Sequence, residues 1–313
     1  MNTYAVVLAA GKGTRMKSLL DYKSKVSYEI VGIPLVKHVI RALQPLNVDK
    51  MVVIAGFGGE TTTKICKDYA EIVWQHEQKG TGHAVMQTTP VLEGKEGNTL
   101  ILCGDTPLLT TKTLKSLLDE HVEKNNKLTI LSAKVPNPYG YGRIIRNADG
   151  SVNRIVEQSD TDETTNKVDE VNTGVLIFDN KLLFSYLSKL TPNNKKGEYY
   201  LTDLIQMFQD DGLKVGAHIM EDYREMLGIN DRVQLAEAAR VMKERINKEL
   251  MLSGVTIEDP NNTYISPECV VEQDTVIHPN THLLGKCHIG KCNELGPNVV
   301  LKDVTTKDNE VIK

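Results

Sequence analysis

An α/β chain, with a mostly parallel sheet followed by a short parallel β-helix, is the fold class that three observations predict. Strand-like and helix-like apolar patterns alternate over the first 110 residues. A small glycine-bearing turn, Leu8-Ala9-Ala10-Gly11-Lys12-Gly13-Thr14-Arg15-Met16, closes the first of those strands. An aliphatic side chain then recurs at every sixth position from Ile265 to Leu301.

Taken in order, the apolar runs Tyr4–Leu8, Met51–Ala55, Ile72–Trp74 and Thr99–Cys103 read as buried strands. Between the first two, Val36, Val39, Ile40 and Leu43 recur at helical spacing; after the last, Leu114, Leu117, Leu118 and Val122 do so, with Thr110 or Thr111 placed to cap. Strands alternating with helices imply a mostly parallel sheet covered on both faces. From Thr129 to Phe178 the pattern is richer in strands, with a polar excursion at Ser159–Val168, and reads as a meander packed beside that sheet and shaping a pocket. Asp231 to Leu252 form the longest helical candidate, with Leu235, Ala238, Ala239, Met242, Ile246 and Leu250 on one stripe and Gly254 as its stop. Asn230 stands at its N-cap. Beyond it, Ile265, Val271, Ile277, Leu283, Ile289, Leu295 and Leu301 carry the hexapeptide spacing of a parallel β-helix. Prolines 267, 279 and 297 and glycines 285, 290 and 296 punctuate its corners. The domain boundaries read as 1–229, a connecting helix 230–253, and a β-helix 254–313.

A chain of 313 residues with 25% charged and 40% hydrophobic residues has the profile of an ordinary globular protein. Its net charge of −4 gives no electrostatic footprint for nucleic acid, and no apolar run is long enough to span a bilayer. The first strand starts at once, without the pattern of a secretory leader. Cys66, Cys103, Cys269, Cys287 and Cys292 are scattered and odd in number, which suits a reducing compartment; a cytoplasmic location is expected.

Ligands of parallel sheets gather beyond the carboxyl ends of the strands. The opening glycine turn and Gly104-Asp105 both fall at such ends, so two motifs point to one crevice. Glycines let backbone N–H groups approach phosphate oxygens, while Lys12 and Arg15 supply charge. Asp105, with one side-chain amide, offers the one or two protein oxygens that a phosphate-bound Mg²⁺ takes; as a bare Gly-Asp it equally suits a turn cap. Gln75 with Gly80-Thr81-Gly82-His83-Ala84 has amide and backbone groups able to read a base, or is a glycine-rich entry to a helix. Tyr139-Gly140-Tyr141-Gly142-Arg143-Ile144, Glu157, Asn172-Thr173-Gly174 and Gly197-Glu198-Tyr199-Tyr200-Leu201-Thr202-Asp203 supply the carboxylates, amides and backbone groups that a sugar phosphate needs. Each alone is also an ordinary turn or hairpin. The cluster Cys287-His288-x-x-x-Cys292 has metal-ligand residue types, although β-helix interior and corner positions account for it.

Together with Lys25-Val26, Gly104-Asp105-x-Pro107-Leu108 and Gly228-x-Asn230, these motifs run in one order from residue 4 to about residue 260. In that order the chain resembles the N-acetylglucosamine-1-phosphate uridyltransferase half of the bacterial bifunctional uridyltransferase/acetyltransferase family. The resemblance implies a Rossmann-like nucleotidyltransferase domain followed by a short left-handed parallel β-helix. It implies Mg²⁺-assisted transfer of a uridylyl group from UTP to N-acetylglucosamine 1-phosphate, giving UDP-N-acetylglucosamine for cell-wall precursors. Leu8, Ala10, Gly11, Gly13 and Gly104 would contact the nucleotide, and Gln75, Gly80 and Thr81 its uracil. Arg15 and Lys25 would neutralise phosphate charge, Asp105 and Asn230 would hold Mg²⁺, and Gly140, Glu157, Asn172 and Thr173 would hold the sugar. Trimers through the β-helix are a further implication.

The chain also departs from that family. Eight residues separate Met16 from Lys25, a longer stretch than the family's, and this leaves Lys23 as a stand-in for Lys25. Cys103 stands where the family often has tyrosine. The long hexapeptide domain with the acetyl-CoA site does not follow, so uridylyl transfer without acetyl transfer is expected. His278, His282 and His288 read as corner or surface residues. Alternatives are another sugar-1-phosphate nucleotidyltransferase, using dTTP or ATP with glucose 1-phosphate, and a non-catalytic UDP-sugar sensor.

Overall fold

The first strand, β1 (Thr3–Ala9), divides its side chains between two cores. Tyr4 and Val6 pack with Val52, Ile54 and Ile101, whereas Ala5, Val7 and Ala9 pack with Val53, Leu100 and Leu102. A strand buried on both faces must be apolar along its whole length rather than alternating, which is why the run at Tyr4–Leu8 was legible. The computed structural model describes residues 2–194 and 196–313.

After β1 come a short hairpin, β2 (Glu29–Ile30) and β3 (Ile33–Pro34), then α1 (Leu35–Leu43), β4 (Lys50–Ala55), α2 (Gly59–Cys66) and β5 (Glu71–Trp74). They are followed by α3 (Thr81–Met86), α4 (Thr89–Leu92), β6 (Asn98–Cys103), α5 (Thr111–Glu123), β7 (Leu128–Lys134), β8 (Arg143–Arg146) and β9 (Val152–Val156). The series continues with β10 (Glu170–Asp179), α6 (Asn180–Leu187), α7 (Asp203–Asp210) and β11 (Val215–Ile219). The sheet order is β11-β7-β10-β6-β1-β4-β5, with β8 on β10 and β9 on β8. Pairs β11/β7, β6/β1, β1/β4 and β4/β5 are parallel, and β10 runs antiparallel to β6 and β7. The sheet is thus mostly parallel. The strand-rich middle does not lie beside it as expected: β7 and β10 are members of the main sheet, and β8 and β9 alone form the appended hairpin. The apolar stretches of β7 and β10, buried on both faces, carry that placement.

The chain divides into two units, Met1–Ser27 with Val36–Asn230, and Tyr28–Leu35 with Asp231–Lys313. The hairpin β2–β3 therefore groups with the C-terminal residues, an assignment that linear boundaries at 229 and 253 do not contain. In that second unit α8 (Arg232–Leu252) is capped by Asp231, whose side chain accepts the Gln234 N–H at 2.8 Å. The N-cap role expected of Asn230 therefore belongs to its neighbour, and the Asn230 amide is left to other partners.

The hexapeptide pattern becomes three stacked parallel sheets. Ile265 pairs with Leu283 and Leu283 with Leu301; Val271 pairs with Ile289, and Ile277 with Leu295. Each pairing is offset by 18 residues, three hexapeptides to a coil. Ile265 through Leu295 point inward and are buried; Leu301, in the last strand of its sheet, is only partly covered. The expected prolines and glycines do sit between the strands, with Gly285 and Gly296 at φ of 66° and 93°, but short polar residues share the corners with them. Asp274, Asn280, Asn298 and Asn309 take left-handed backbone at φ of 61°, 60°, 62° and 61°, a conformation that short polar side chains tolerate. Gly290 serves close approach instead: a Cβ there would lie 2.6 Å from Asp308 Oδ1. Cys287 faces the interior, His288 faces outward toward Glu272, and Cys292 sits at an exposed corner. The three do not converge, and among the described residues no group of three or more His, Cys, Asp or Glu is placed to hold a metal.

Candidate active site

The register Leu8↔Cys103 and Leu8↔Ile54 brings the turns after β1, β6 and β4 to one edge of the sheet. There Gly104 N–H donates to the Leu8 carbonyl at 2.9 Å. Gly13 takes φ +58°, and a Cβ on it would lie 2.7 Å from the Lys25 Cβ, so glycine is what lets the turn and the lysine stem touch. Met16, only 1% exposed, anchors the turn in the core; it occupies the place where a dinucleotide loop would need a third glycine. Gly11 is open to solvent, and Ala10 is buried.

Four polar side chains meet beyond this edge. The Lys25 ammonium donates to Asp105 Oδ2 and, at 3.2 Å, to Asn230 Oδ1. Arg15 Nη2 donates to the same Asn230 oxygen at 2.9 Å. Ile229 N–H donates to the Asp105 carbonyl at 2.9 Å, and this backbone tie delivers Asn230. The side chains of Lys25 and Asp105 are each 15% exposed, enough shielding to strengthen the pair over a surface one. Asp105 and Asn230 thus present a carboxylate and an amide oxygen to one point, a hard all-oxygen set that suits Mg²⁺.

The longer segment before Lys25 is fastened at its end rather than loose. Ser24 is buried and accepts from Thr62 Oγ1 at 2.9 Å, and a Cβ on Gly58 would lie 2.5 Å from the Ser24 nitrogen. This anchorage points Lys25 into the cluster. Sequence reasoning missed Gly56, where a Cβ would fall 2.6 Å from that of Ala10. The glycine-rich run Gly56-Phe57-Gly58-Gly59 at a strand's carboxyl end was the available signal.

The base-reading candidates have structural duties. Gln75 is buried, and its Nε2 lies 3.1 Å from both the Gly80 carbonyl and His83 Nδ1. Thr81 Oγ1 accepts the Leu201 N–H at 3.0 Å, and Gly82 N–H donates to the Tyr199 carbonyl at 2.8 Å. The glycines here admit the Glu198–Leu201 backbone, since a Cβ on Gly80 would lie 2.5 Å from the Tyr199 oxygen.

Among the sugar-side candidates, Gly140 N–H donates to Gln158 Oε1 at 2.7 Å, and Asn172 N–H to the Gly142 carbonyl at 2.8 Å. The Thr173 hydroxyl donates to the Leu131 carbonyl at 2.7 Å, inside the irregular register of β10, which leaves its lone pairs as acceptors. Glu157 lines a cavity of about 680 Å³ with Asp160, Tyr200, Thr202 and Asp203. Desolvation, then the charges of Asp160 and Asp203, raise its carboxyl above the ordinary glutamate range. Desolvation raises Asp203 as well. Cys103, beside the Lys25–Asp105 pair, is pushed up to about 12, first by burial and then by Asp105; it is a neutral thiol.

No helix of the described residues is long and apolar enough to cross a membrane. The profile of the nucleotidyl transferase family matches residues 4–239, and that of the bacterial transferase hexapeptide (six repeats) matches residues 268–303. Among curated relatives, the bifunctional protein GlmU of Geobacillus sp. is 47% identical over 300 residues, covering 96% of this chain and 65% of the relative. That of Streptococcus thermophilus is 46% identical over 312 residues, covering 100% and 67%. That of Exiguobacterium sibiricum is 44% identical over 313 residues, covering 100% and 69%. The chain spans about two thirds of the length of the curated relatives it matches.

Proposed function

The chain belongs to the nucleotidyl transferase family, and from that membership we propose that it transfers a uridylyl group from UTP to N-acetylglucosamine 1-phosphate. An oxygen of the sugar phosphate attacks the α-phosphorus in line, the bond from that phosphorus to the bridging oxygen breaks, and pyrophosphate leaves with the electron pair. UDP-N-acetylglucosamine is the product, and no covalent enzyme intermediate is needed. Catalysis is then positioning plus charge neutralisation.

One observation carries this reading: Lys25 and Arg15 converge on Asp105 and Asn230 at the edge of the sheet where the glycine turn emerges. Arg15 serves the outer phosphates, Lys25 the α-phosphate, and the backbone of Leu8, Ala10, Gly11, Gly13 and Gly104 the nucleotide. Gln75, Gly80 and Thr81 hold the uracil through groups beyond those already spent on the fold. Gly140, Glu157, Asn172 and Thr173 hold the sugar. Asp105 and Asn230 would hold Mg²⁺, which when bound neutralises phosphate charge. The protein works in the cytoplasm on cell-wall precursors and assembles as a trimer through its β-helix.

The test is pyrophosphate release from UTP and N-acetylglucosamine 1-phosphate with Mg²⁺, beside an Asp105→Ala control. CTP, dTTP and glucose 1-phosphate serve as rivals. Turnover confined to the first pair and abolished in the control is the expected result. Binding of UDP-N-acetylglucosamine without turnover of any pair would overturn the enzymatic reading.

A further inference from the structure

Arg143 heads the fully buried side chains by volume, at 1% exposure, and among the described residues it pairs with no carboxylate. Burying a guanidinium without a counter-charge is costly unless its donors are met, and an apolar side chain would fill the same space at less cost. Core volume is therefore a poor reason for an arginine here.

Its donors reach three separate segments. Nη1 donates to the Tyr141 carbonyl, and Nη2 to Gln158 Oε1 at 2.9 Å and to Asn166 Oδ1 at 3.3 Å, while Nε is buried without a partner. Two of these acceptors, Gln158 and Tyr141, lead to candidate sugar contacts, and Asn166 ties the fork to the segment between β9 and β10. Gln158 Oε1 is the atom that also accepts the Gly140 N–H, and Gln158 directly follows Glu157. Tyr141 lies within the Gly140–Gly142 turn, whose Gly142 carbonyl accepts the Asn172 N–H. That turn also passes close to Glu157: a Cβ on Gly142 would lie 3.3 Å from Glu157 Oε1. In the sheet, Arg143 stands opposite Val171 on β10 and Val156 on β9, the residues just before Asn172 and Glu157. One rigid planar fork thus sits between all three contacts, a geometry that the single ammonium of a lysine cannot reproduce.

We propose that Arg143 is a positioning residue that sets the Gly140 turn, Glu157 and Asn172 in the arrangement that receives the sugar. It governs sugar affinity and leaves the nucleotide side alone. The inference rests on the reading that this cluster holds the sugar of a sugar nucleotide.

The experiment measures, by calorimetry, binding of UDP-N-acetylglucosamine and of UTP with Mg²⁺ to the wild type and to four variants. Arg143→Lys and Arg143→Met test the fork, and Gln158→Leu removes the shared acceptor at a less buried position. Gln158→Glu keeps an oxygen for both donors. Arg143→Met, Arg143→Lys and Gln158→Leu are expected to weaken UDP-N-acetylglucosamine binding by about tenfold or more while UTP binding changes by less than about twofold. Gln158→Glu is expected to stay near the wild type. In steady-state assays the same three variants raise KM for the sugar phosphate and leave KM for UTP in place. If Arg143→Met does not fold, Gln158→Leu and its rescue by Gln158→Glu carry the test. Unchanged UDP-N-acetylglucosamine affinity in folded Gln158→Leu and Arg143→Lys overturns the proposal alone, as does parallel loss of both ligands. A wild type that binds UTP but no UDP-N-acetylglucosamine overturns it together with the reading beneath it.

Discussion

The two units of the chain use sequence in opposite ways. In the first, chemistry rests on single side chains that close backbone approaches bring together, as Gly13 against Lys25 and Ile229 N–H against the Asp105 carbonyl do. In the second, the fold rests on one residue type repeated at a fixed interval, where Ile265, Ile277, Leu283, Ile289 and Leu295 are each 1% exposed or less. The difference teaches which substitutions change function and which change stability. In the first unit a change of one atom type is decisive, whereas in the second the loss is proportional to the volume removed.

The sharpest way to break that contrast is Asp105→Asn. It keeps the shape but removes the charge opposite Lys25, and turnover should fall by about 10²-fold or more with little change in Tm. A thermal scan and a pyrophosphate-release assay on one preparation would decide it; a large drop in Tm with residual activity would make Asp105 structural. Lys25→Met sharpens the same point. On the proposed reading a divalent cation would take the same two oxygens that the ammonium holds, so in the absence of nucleotide this variant should bind Mn²⁺ about tenfold more tightly than the wild type. Electron paramagnetic resonance of free Mn²⁺ reads this directly, and equal or weaker binding would show that Lys25 does not compete for the site.

How much of this was legible in the sequence follows from the same contrast. The β-helix is visible because an inward position repeats every sixth residue, and its prolines and glycines mark corners; that Asp274, Asn280 and Asn298 share the left-handed backbone is not, because nothing in the spacing singles them out. In the first unit the strands were plain, since a buried strand must be apolar. The pairing of β7 and β10 into the main sheet was not, because sheet order depends on contacts between residues far apart in the chain. The cluster residues Arg15, Lys25, Asp105 and Asn230 were each named, but nothing local distinguishes Asn230 from a helix cap; only the Ile229–Asp105 hydrogen bond and the capping by Asp231 do. Thr173 and Thr81 show the converse. A hydroxyl in a sugar or base motif reads as a ligand contact, and nothing local shows that both also bond the backbone of neighbouring segments.

In the second unit Leu283→Ala is the matching test. Leu283 pairs with both Ile265 and Leu301 and is fully buried, so its truncation should cost about 2–5 kcal/mol in the unit's unfolding, seen as a lower Tm. Turnover by the folded protein should stay within about twofold, because no candidate site residue belongs to this unit. A loss of turnover at temperatures where the protein is fully folded would break the separation. A smaller effect tests the sugar side. Glu157 is raised by desolvation and by Asp160 and Asp203, and on the proposed reading it accepts from sugar hydroxyls more strongly when ionised, because charge-assisted hydrogen bonds are stronger than neutral ones. Sugar-nucleotide affinity should therefore improve as pH rises through a carboxyl value above 4.5. Asp203→Asn, by removing a nearby negative charge, should move that limb to lower pH, and Glu157→Gln should abolish it. A limb that stays in place in Glu157→Gln would belong to another group.

The smallest expected effect lies on the outside of the β-helix. His278 Nδ1 is 2.8 Å from Glu258 Oε2, and its Nε2 is 3.1 Å from Glu294 Oε1, so one ring bridges two turns of the coil. Hydrogen bonds to Glu258 and Glu294 raise the imidazole above its ordinary value. A histidine whose folded value is raised adds stability that is complete below its unfolded value, near 6.5, and is lost as pH rises through the folded one. The bridge is exposed to solvent, so screening keeps the contribution small. The wild type should therefore lose a little more Tm than His278→Gln between about pH 6 and about pH 9, with the two curves meeting at the alkaline end. Raising the salt concentration should shrink the difference, because exposed charges are screened. If the two proteins trace parallel curves at low salt, the ring is only a spacer between coils, and the repeat owes its stability to the buried aliphatic ladder alone.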